Sequence, residues 1–321
     1  MIEVFSQRAD KPTAYPSLKP TEVGQEARKY PFFTPIEFSI SPDGKKWVSC
    51  YDVPNLDGVY CYKAPDVQPA NQTDNLKKIG LMDGSRLLST SYSTRELKME
   101  FIYEGLNEGD AELAYDALQR FLISREAYWI CFANWPQRMY YVRAKLATPA
   151  FTGERVWTCE ATFTDLIGLS RSVATSTDYQ NDNGFGNNMP VDQEQYVFTT
   201  NHFFVNNLSD TIIDPERRGH PLVITMEGHS DGKLKIVNKT TGEEFDRDGG
   251  LNTTASGNAP VADSHFDGTW KLDGVRKTLN GKPDELHGSP DVFTLQPGKN
   301  EFQIENFTGK VTFDFPFWWL S

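Results

Sequence analysis

The chain has 321 residues, enough for two domains of ordinary size, and 38% hydrophobic with 24% charged residues is a globular composition rather than a disordered one. Its formal net charge of -12 argues against sequence-specific nucleic-acid binding, which needs clustered Lys and Arg to neutralise phosphates. The 13% of aromatic residues, with 24 Gly and 19 Pro, indicates a β-rich protein with many turns.

The beginning of the sequence and its apolar windows bear on cellular location. "MIEVFSQRADKP" has no basic segment followed by an apolar run, so no secretory signal is expected. No window is long and apolar enough to cross a bilayer, so we expect no membrane insertion. Together these features predict synthesis in a cytoplasm.

The first predicted elements are strands. "PIEFSI" (35–40) and "KKWVSCY" (45–51) flank the turn "SPDG" and indicate a hairpin. "APDVQPANQTDN" (64–75) is polar and rich in turn formers, which predicts a long loop or an arm. Alternating apolar residues return over 86–105, with Leu97, Met99, Phe101 and Tyr103 on one face.

One helix is predicted, at about 108–124. Ala111, Ala114, Tyr115, Leu118, Phe121 and Leu122 recur at helical spacing, and Asn107 or Asp110 is placed to cap the first turn. Two apolar strands around the turn "NWPQ" (134–137) follow the helix. The next strand is 155–166, in which Trp157 and Phe163 share one face and Thr158 and Thr162 the other.

The polar stretch 170–195 is the clearest domain boundary in the chain. We therefore predict an N-terminal domain over 1–172, a linker over 173–198 and a C-terminal domain over 199–321. The C-terminal domain shows no helical periodicity, and its short strands separated by Gly, Asn, Asp and Pro predict a β-sandwich. The fold class is thus mainly β with one main α-helix.

No catalytic group is predicted. "GHSDG" (228–232) matches the nucleophile-elbow pattern G-x-S-x-G, which requires a strand before the serine and a helix after it. Here a strand precedes and another strand follows, so a hairpin turn is the preferred interpretation and Ser230 is interpreted as a turn residue. We expect the protein not to be an enzyme.

Metal and cofactor sites are also not predicted. The five histidines lack H-x-x-x-H and H-E-x-x-H spacing, and "DYQNDNG" and "DRDGG" lack the EF-hand spacing and its terminal Glu. Cys50, Cys61, Cys131 and Cys159 have no C-x-x-C spacing and lie in strand-like apolar runs. Buried free thiols are the preferred interpretation of these cysteines.

Tryptophans are the candidate contact residues. Trp270, Trp318 and Trp319 are candidates for contact with a carbohydrate or with a neighbouring domain, because indole rings stack on sugar rings. In a β-rich chain, alternating aromatic residues more often form core or cross-strand pairs. The final segment "VTFDFPFWWLS" (311–321) is predicted to be a closing strand of the C-terminal sandwich, with Val311, Phe313, Phe315 and Phe317 on one apolar face.

The order of the elements resembles the distal tail proteins of siphophages that infect Gram-positive bacteria. The matching segments are 95–145, in which Tyr140–Arg143 stand at a "Y-x-V-R"-like strand end, then 154–172, 203–245 with "IDP" and "I-x-N-x-T-T-G"-like marks, and "LQPGKNEFQIEN" (295–306). Each motif alone is ordinary, and their order and spacing carry the resemblance.

The resemblance implies a structural role without a cofactor. Members of that family form a homohexameric ring at the virion tail tip, with N-terminal sandwich-like or barrel-like domains around a lumen for DNA and C-terminal galectin-like β-sandwiches projecting outward. The implied partners are the tail tube protein, the tail-associated hub (Tal-like) protein, and receptor-binding or other baseplate proteins. The alternative hypothesis is a carbohydrate-binding adhesin that recognises host cell-wall polysaccharide through the C-terminal β-sandwich.

Overall fold

The computed structural model describes residues 2–12, 33–81, 83–178, 195–230, 232–247, 250–252, 261–263, 266–284 and 292–321. These residues form two compact units, one of 2–173 together with 320–321 and one of 174–319. The middle of the predicted linker, 179–194, lies outside the described residues. The domain limits 1–172, 173–198 and 199–321 stay a prediction.

The N-terminal unit is built on an antiparallel sheet in the order β2-β1-β7-β8-β10-β6-β3. Its elements are β1 (Phe38–Ser41), β2 (Val48–Ser49), β3 (Tyr60–Lys63), β4 (Asn71–Lys77), β5 (Arg86–Ser93), β6 (Arg95–Glu104), α1 (Glu108–Leu122), β7 (Tyr128–Phe132), β8 (Trp135–Leu146), β9 (Ala150–Phe151), β10 (Val156–Asp165) and β11 (Ser170–Thr175). Short 3-10 turns lie at Cys50–Asp52 and Pro54–Leu56 in this unit and at Ser176–Asp178 in the C-terminal unit. Among the described strands, β4 and β5 pair with each other and with no other strand, in a separate two-stranded sheet.

Buried and less buried side chains alternate along β6 and β10, the two strands that pair over the greatest length. In β10 every second residue from Trp157 to Asp165 is buried, and in β6 Leu97, Met99, Phe101 and Tyr103 are buried. The two strands pair over ten residues each, from Val156↔Glu104 to Asp165↔Arg95. The faces predicted for both strands are therefore confirmed, and their apolar faces form the core beneath α1.

Helix α1 has a well-defined start. The Asn107 side chain accepts a hydrogen bond from the Asp110 backbone N–H at 3.0 Å, which satisfies one of the free donors of the first turn. The helix buries Ala111, Ala114, Leu118 and Leu122. The Trp157 indole N–H donates to the Ala111 carbonyl at 2.8 Å and ties the helix to β10. The predicted helix is confirmed, although it ends at Leu122.

The C-terminal unit is a sandwich of two antiparallel sheets, in the orders β12-β23-β14-β19-β20-β21 and β13-β22-β15-β16. Its strands are β12 (Val197–Phe198), β13 (His202–Asn207), β14 (Val223–Ser230), β15 (Leu234–Asn238), β16 (Glu243–Arg247), β17 (Gly250–Asn252), β18 (Val261–Asp263), β19 (Phe266–Asp273), β20 (Arg276–Leu279), β21 (Lys282–Pro283), β22 (Gly298–Glu305), β23 (Thr308–Asp314) and β24 (Pro316–Trp319). β17 pairs with β18.

Aromatic rings join the two sheets. Phe302 on β22 and Phe313 on β23 lie with ring centroids 4.8 Å apart, and Phe203 on β13 packs 5.9 Å from each of them. Rings from both inner faces therefore fill the same core, as in other β-sandwiches. The mainly β fold class with one helix is confirmed.

The aromatic C-terminal segment is divided between β23, which belongs to a sandwich sheet, and β24, which pairs with β11 rather than with a strand of either sandwich sheet. Val311, Phe313, Phe315 and Phe317 are each at most 2% exposed, as predicted, but they do not lie on one strand. The prediction that the whole segment is one closing strand of the sandwich is therefore wrong. β23 ends at Asp314 and β24 begins at Pro316, which has no backbone N–H to donate.

The connection "GHSDG" differs from the prediction. β14 pairs with β19 and β23, whereas β15 pairs with β16 and β22, so the chain crosses from one sheet to the other here. The predicted hairpin turn is therefore wrong, because turn residues do not specify which sheet the next strand joins. Ser230 is buried and its Oγ donates to the Gly232 carbonyl at 2.7 Å. A strand, not a helix, follows this serine.

We expect Gly228→Ala to destabilise the sandwich while Gly232→Ala does not. A Cβ at Gly228 would lie 2.2 Å from the Thr308 carbonyl oxygen, whereas the nearest atoms to a Cβ at Gly232 are 3.6 Å away. The expected loss in the free energy of unfolding is about 1–3 kcal/mol for Gly228→Ala and within about 0.5 kcal/mol for Gly232→Ala. Urea denaturation followed by tryptophan fluorescence measures both, and equal stabilities would contradict the close approach of β14 and β23.

Candidate assembly site

A two-stranded hairpin projects from the N-terminal unit. This arm, residues 71–93, pairs Asn71 with Ser93 and Lys77 with Arg86. Its described residues from Asn71 to Ser89 are all exposed. The sequence predicted a polar loop or arm at 64–75 and one alternating segment over 86–105; the structure instead divides the second segment at Thr94, between β5 and β6.

The arm carries an apolar and basic end, residues 76–88, which we call the arm tip. Five of its apolar side chains are exposed: Leu76 59%, Ile79 43%, Leu81 102%, Leu87 53% and Leu88 51%. Lys77, Lys78 and Arg86 against Asp83 give the tip a charge of +2 within a chain of net charge -12. A lone hairpin with both edges open is only marginally stable in water and offers its backbone to a partner.

A buried ion pair fixes the root of the arm. Arg95, two residues after β5, donates through Nε to Asp165 Oδ2 at 3.0 Å, and the two side chains are 1% and 0% exposed. Arg95 Nη1 also donates to the carbonyl oxygens of Gln68 and Leu320, at 2.7 Å each. The guanidinium thus holds the chain on both sides of the arm.

The loop after Asp165 contacts both the Asp165 carboxyl and the root of the arm. Burial raises the pKa of the Asp165 carboxyl, while Arg95 and the backbone N–H groups of Gly168 and Ile167 act in the opposite direction by favouring its charged form. Gly168, at φ +75°, lies against the arm root, and a Cβ there would be 2.1 Å from the Ser93 carbonyl oxygen. A glycine is therefore required where this loop meets the arm.

A second candidate surface is a groove between α1 and the turn Pro54–Leu56. The groove encloses about 590 Å³, and its lining residues are Val53, Pro54, Asn55, Asp57, Tyr103, Asp110, Leu113, Ala114, Asp116, Ala117, Arg120 and Phe121. Leu113 is 70% exposed, and Leu106 in the turn before α1 is 86% exposed. Exposed leucines in and near a concave surface are a feature of interaction sites.

The groove is acidic. Asp57, Asp110 and Asp116 line it, and its one lining cation among the described residues, Arg120, is paired with Asp116 at 2.6 Å. The Leu106 backbone N–H and the Tyr103 hydroxyl hold the pKa of the Asp110 carboxyl below its ordinary value. The Asp110 carboxyl therefore stays charged at neutral pH.

The three tryptophans predicted as contact residues lie inside the C-terminal unit. Trp270 is 0% exposed, and Trp318 and Trp319 are 4% exposed. The Trp270 indole N–H donates to Asp284 Oδ2 at 3.0 Å, and Trp318 stacks on His220 with centroids 4.6 Å apart. Burial lowers the pKa of His220 to about 4, so this ring is neutral at pH 7. Carbohydrate or domain contact by the three tryptophans stays a prediction.

The remaining candidate groups are buried or dispersed. All four cysteines are free thiols and buried, and burial raises the pKa of Cys50 to about 12 and that of Cys159 to about 11. Within the described ranges, no three His, Cys, Asp or Glu side chains are grouped so that they could hold a metal ion. No helix in the described part of the chain is long and apolar enough to cross a membrane.

We expect removal of one partner of the Arg95–Asp165 pair to destabilise the N-terminal unit more than removal of both. Asp165→Leu leaves a buried, uncompensated guanidinium and should cost about 3–5 kcal/mol in the free energy of unfolding. Arg95→Met combined with Asp165→Leu should cost less, because no charge remains buried. Urea denaturation of both variants tests this, and a double variant less stable than Asp165→Leu would contradict the account.

The phage tail protein RIFT-related domain family matches residues 38–156, which span both the arm and the groove. The Dit protein (gp 19.1) of SPP1, described as a hub adsorption apparatus of phages infecting Gram-positive bacteria, shares 16% identity at a TM-score of 0.55. The similarity covers 88% of this chain and 99% of that protein.

A chain of the phage P2 baseplate, in its activated conformation with Ca, is 10% identical to this chain, with a TM-score of 0.36. The similarity covers 88% of this chain and 97% of the baseplate chain. No protein of curated function matches by sequence. Residues 38–156 are thus similar to the phage tail protein RIFT-related domain family, and the chain shares its fold with SPP1 Dit, in agreement with the resemblance to siphophage distal tail proteins.

Proposed function

We propose that this protein is a non-enzymatic hub of a siphophage tail tip, and that six copies form a ring. The family match supports a structural role in the phage tail. The observation that carries the finer proposal is the arm: an exposed hairpin with an apolar tip, held at its root by a buried ion pair, within the matched domain.

Ring closure requires two different surfaces on each copy. In a head-to-tail contact, one surface of a subunit meets another surface of the next, and a rotation that closes yields a ring. The arm provides one such surface, because five of its apolar side chains are 43–102% exposed. Burial of a leucine side chain contributes about 1.5–3 kcal/mol, so a few such contacts per interface stabilise a closed ring.

The proposed ring assigns a role to each predicted domain. Residues 1–172 form the ring around a lumen, and residues 199–321 project outward as galectin-like sandwiches. Residues 173–198 are the linker between these two domains. The net charge of -12 suits a conduit for DNA, because an acidic wall releases no counterions on contact with phosphates.

The proposed partners follow from the same role. The ring connects the tail tube protein to the tail-associated hub (Tal-like) protein and carries receptor-binding or other baseplate proteins. The protein is made in the host bacterial cytoplasm and ends in the virion tail tip, and its role needs no cofactor.

We expect the purified protein to have about six times the 36.4 kDa mass of one chain by size-exclusion chromatography with light scattering. Leu81→Asp should raise the dissociation constant of the assembly tenfold or more. Each 1.4 kcal/mol of binding free energy lost from an interface raises that constant by a factor of ten. Val275→Asp in the C-terminal unit is the matched control, because Val275 is also exposed, at 62%.

Circular dichroism should be unchanged in both variants, because both positions are exposed. A monomeric wild-type protein would overturn the proposal, and a monomer that also binds host cell-wall polysaccharide would favour the adhesin hypothesis.

A further inference from the structure

We infer that the groove beside α1 receives the arm tip of a second copy of this chain. The inference rests on the proposed ring and names the contact that would close it. The most exposed large apolar residues in the described part of the chain are Leu81 at the arm tip, at 102%, Leu106 in the turn before α1, at 86%, and Leu113 in the groove, at 70%. Mutual burial removes both surfaces from water at once.

The charges of the two surfaces are complementary. The arm tip carries three basic residues against one acidic residue, whereas the groove is lined by Asp57, Asp110 and Asp116 against Arg120, a balance of +2 against -2. Complementary potentials steer association and oppose wrong pairings, such as tip against tip or groove against groove. The occupant that fits the groove by charge is therefore a basic segment with apolar side chains.

The two surfaces do not meet within the described part of one copy. The arm root is at Arg95, the first residue of β6, and the groove is lined by Tyr103 near the end of the same strand. Eight residues of a strand span about 26 Å. No described arm residue lines the groove of its own chain. A donor and an acceptor surface at opposite ends of one strand is the arrangement that a head-to-tail ring needs.

Crosslinking between two single-cysteine variants tests the contact. Leu81→Cys is mixed with Leu113→Cys, the assembly is dissociated and re-formed, and a short bis-maleimide is added. The four native cysteines are buried, at 0–7% exposure, so the reagent reacts with the introduced thiols. We expect a crosslinked dimer from the mixture, and a ladder up to six chains from the variant that carries both substitutions.

Val275→Cys replaces Leu113→Cys in the control mixture, which should give at least tenfold less dimer. Lys77→Glu with Lys78→Glu, added to the Leu81→Cys chain, should lower the dimer yield of the original mixture, because the arm tip then repels the acidic groove. An unchanged yield would overturn the assignment.

The experiments distinguish the proposal of a ring from the proposal of this contact. A hexamer by light scattering that gives no more Leu81–Leu113 crosslink than the control overturns the contact and leaves the ring. A monomer at every concentration overturns both. Crosslinking of the arm to another tail protein, without crosslinking between copies, would show that the arm serves a different partner and would also overturn the contact.

Discussion

The buried pair Arg95–Asp165 is the interaction on which the N-terminal unit depends most. A charge taken out of water is costly unless an opposite charge and further hydrogen bonds satisfy it, and here Gln68, Leu320, Ile167 and Gly168 supply backbone partners. The pair therefore fixes several segments in one geometry: the start of β6, the end of β10 and both sides of the arm. The arm itself contributes no core, so its direction is set at this root.

The proposed assembly depends on an arm whose root is held in one position. A hairpin with exposed leucines would promote aggregation if its direction varied, because its open edges would pair with any strand available. A root fixed at one end of β6 presents the tip in one orientation, and the proposed acceptor, the acidic groove, lies near the other end of the strand. The same strand thus relates the two proposed contact surfaces within each copy.

Local patterns predicted much of the fold. Alternation in β6 and β10 and helical spacing in α1 gave the elements, because a residue's face is set by the period of its own segment. The ion pair was not predictable, since its partners are 70 residues apart in the chain. The sheet crossing at 228–232 was missed because a tight turn looks the same within one sheet and between two. The arm tip was missed because its leucines resemble those of a buried strand, and exposure depends on what packs around a segment.

The fold alone does not specify function, so the proposed assembly needs a direct observation. Electron microscopy of the purified protein is the most direct measurement, with class averages computed without imposed symmetry. The account predicts rings of six units with a central opening. Isolated single chains, or pairs related by a two-fold axis, would contradict it, because a two-fold contact uses one surface twice and leaves no place for a tip that docks into a different surface.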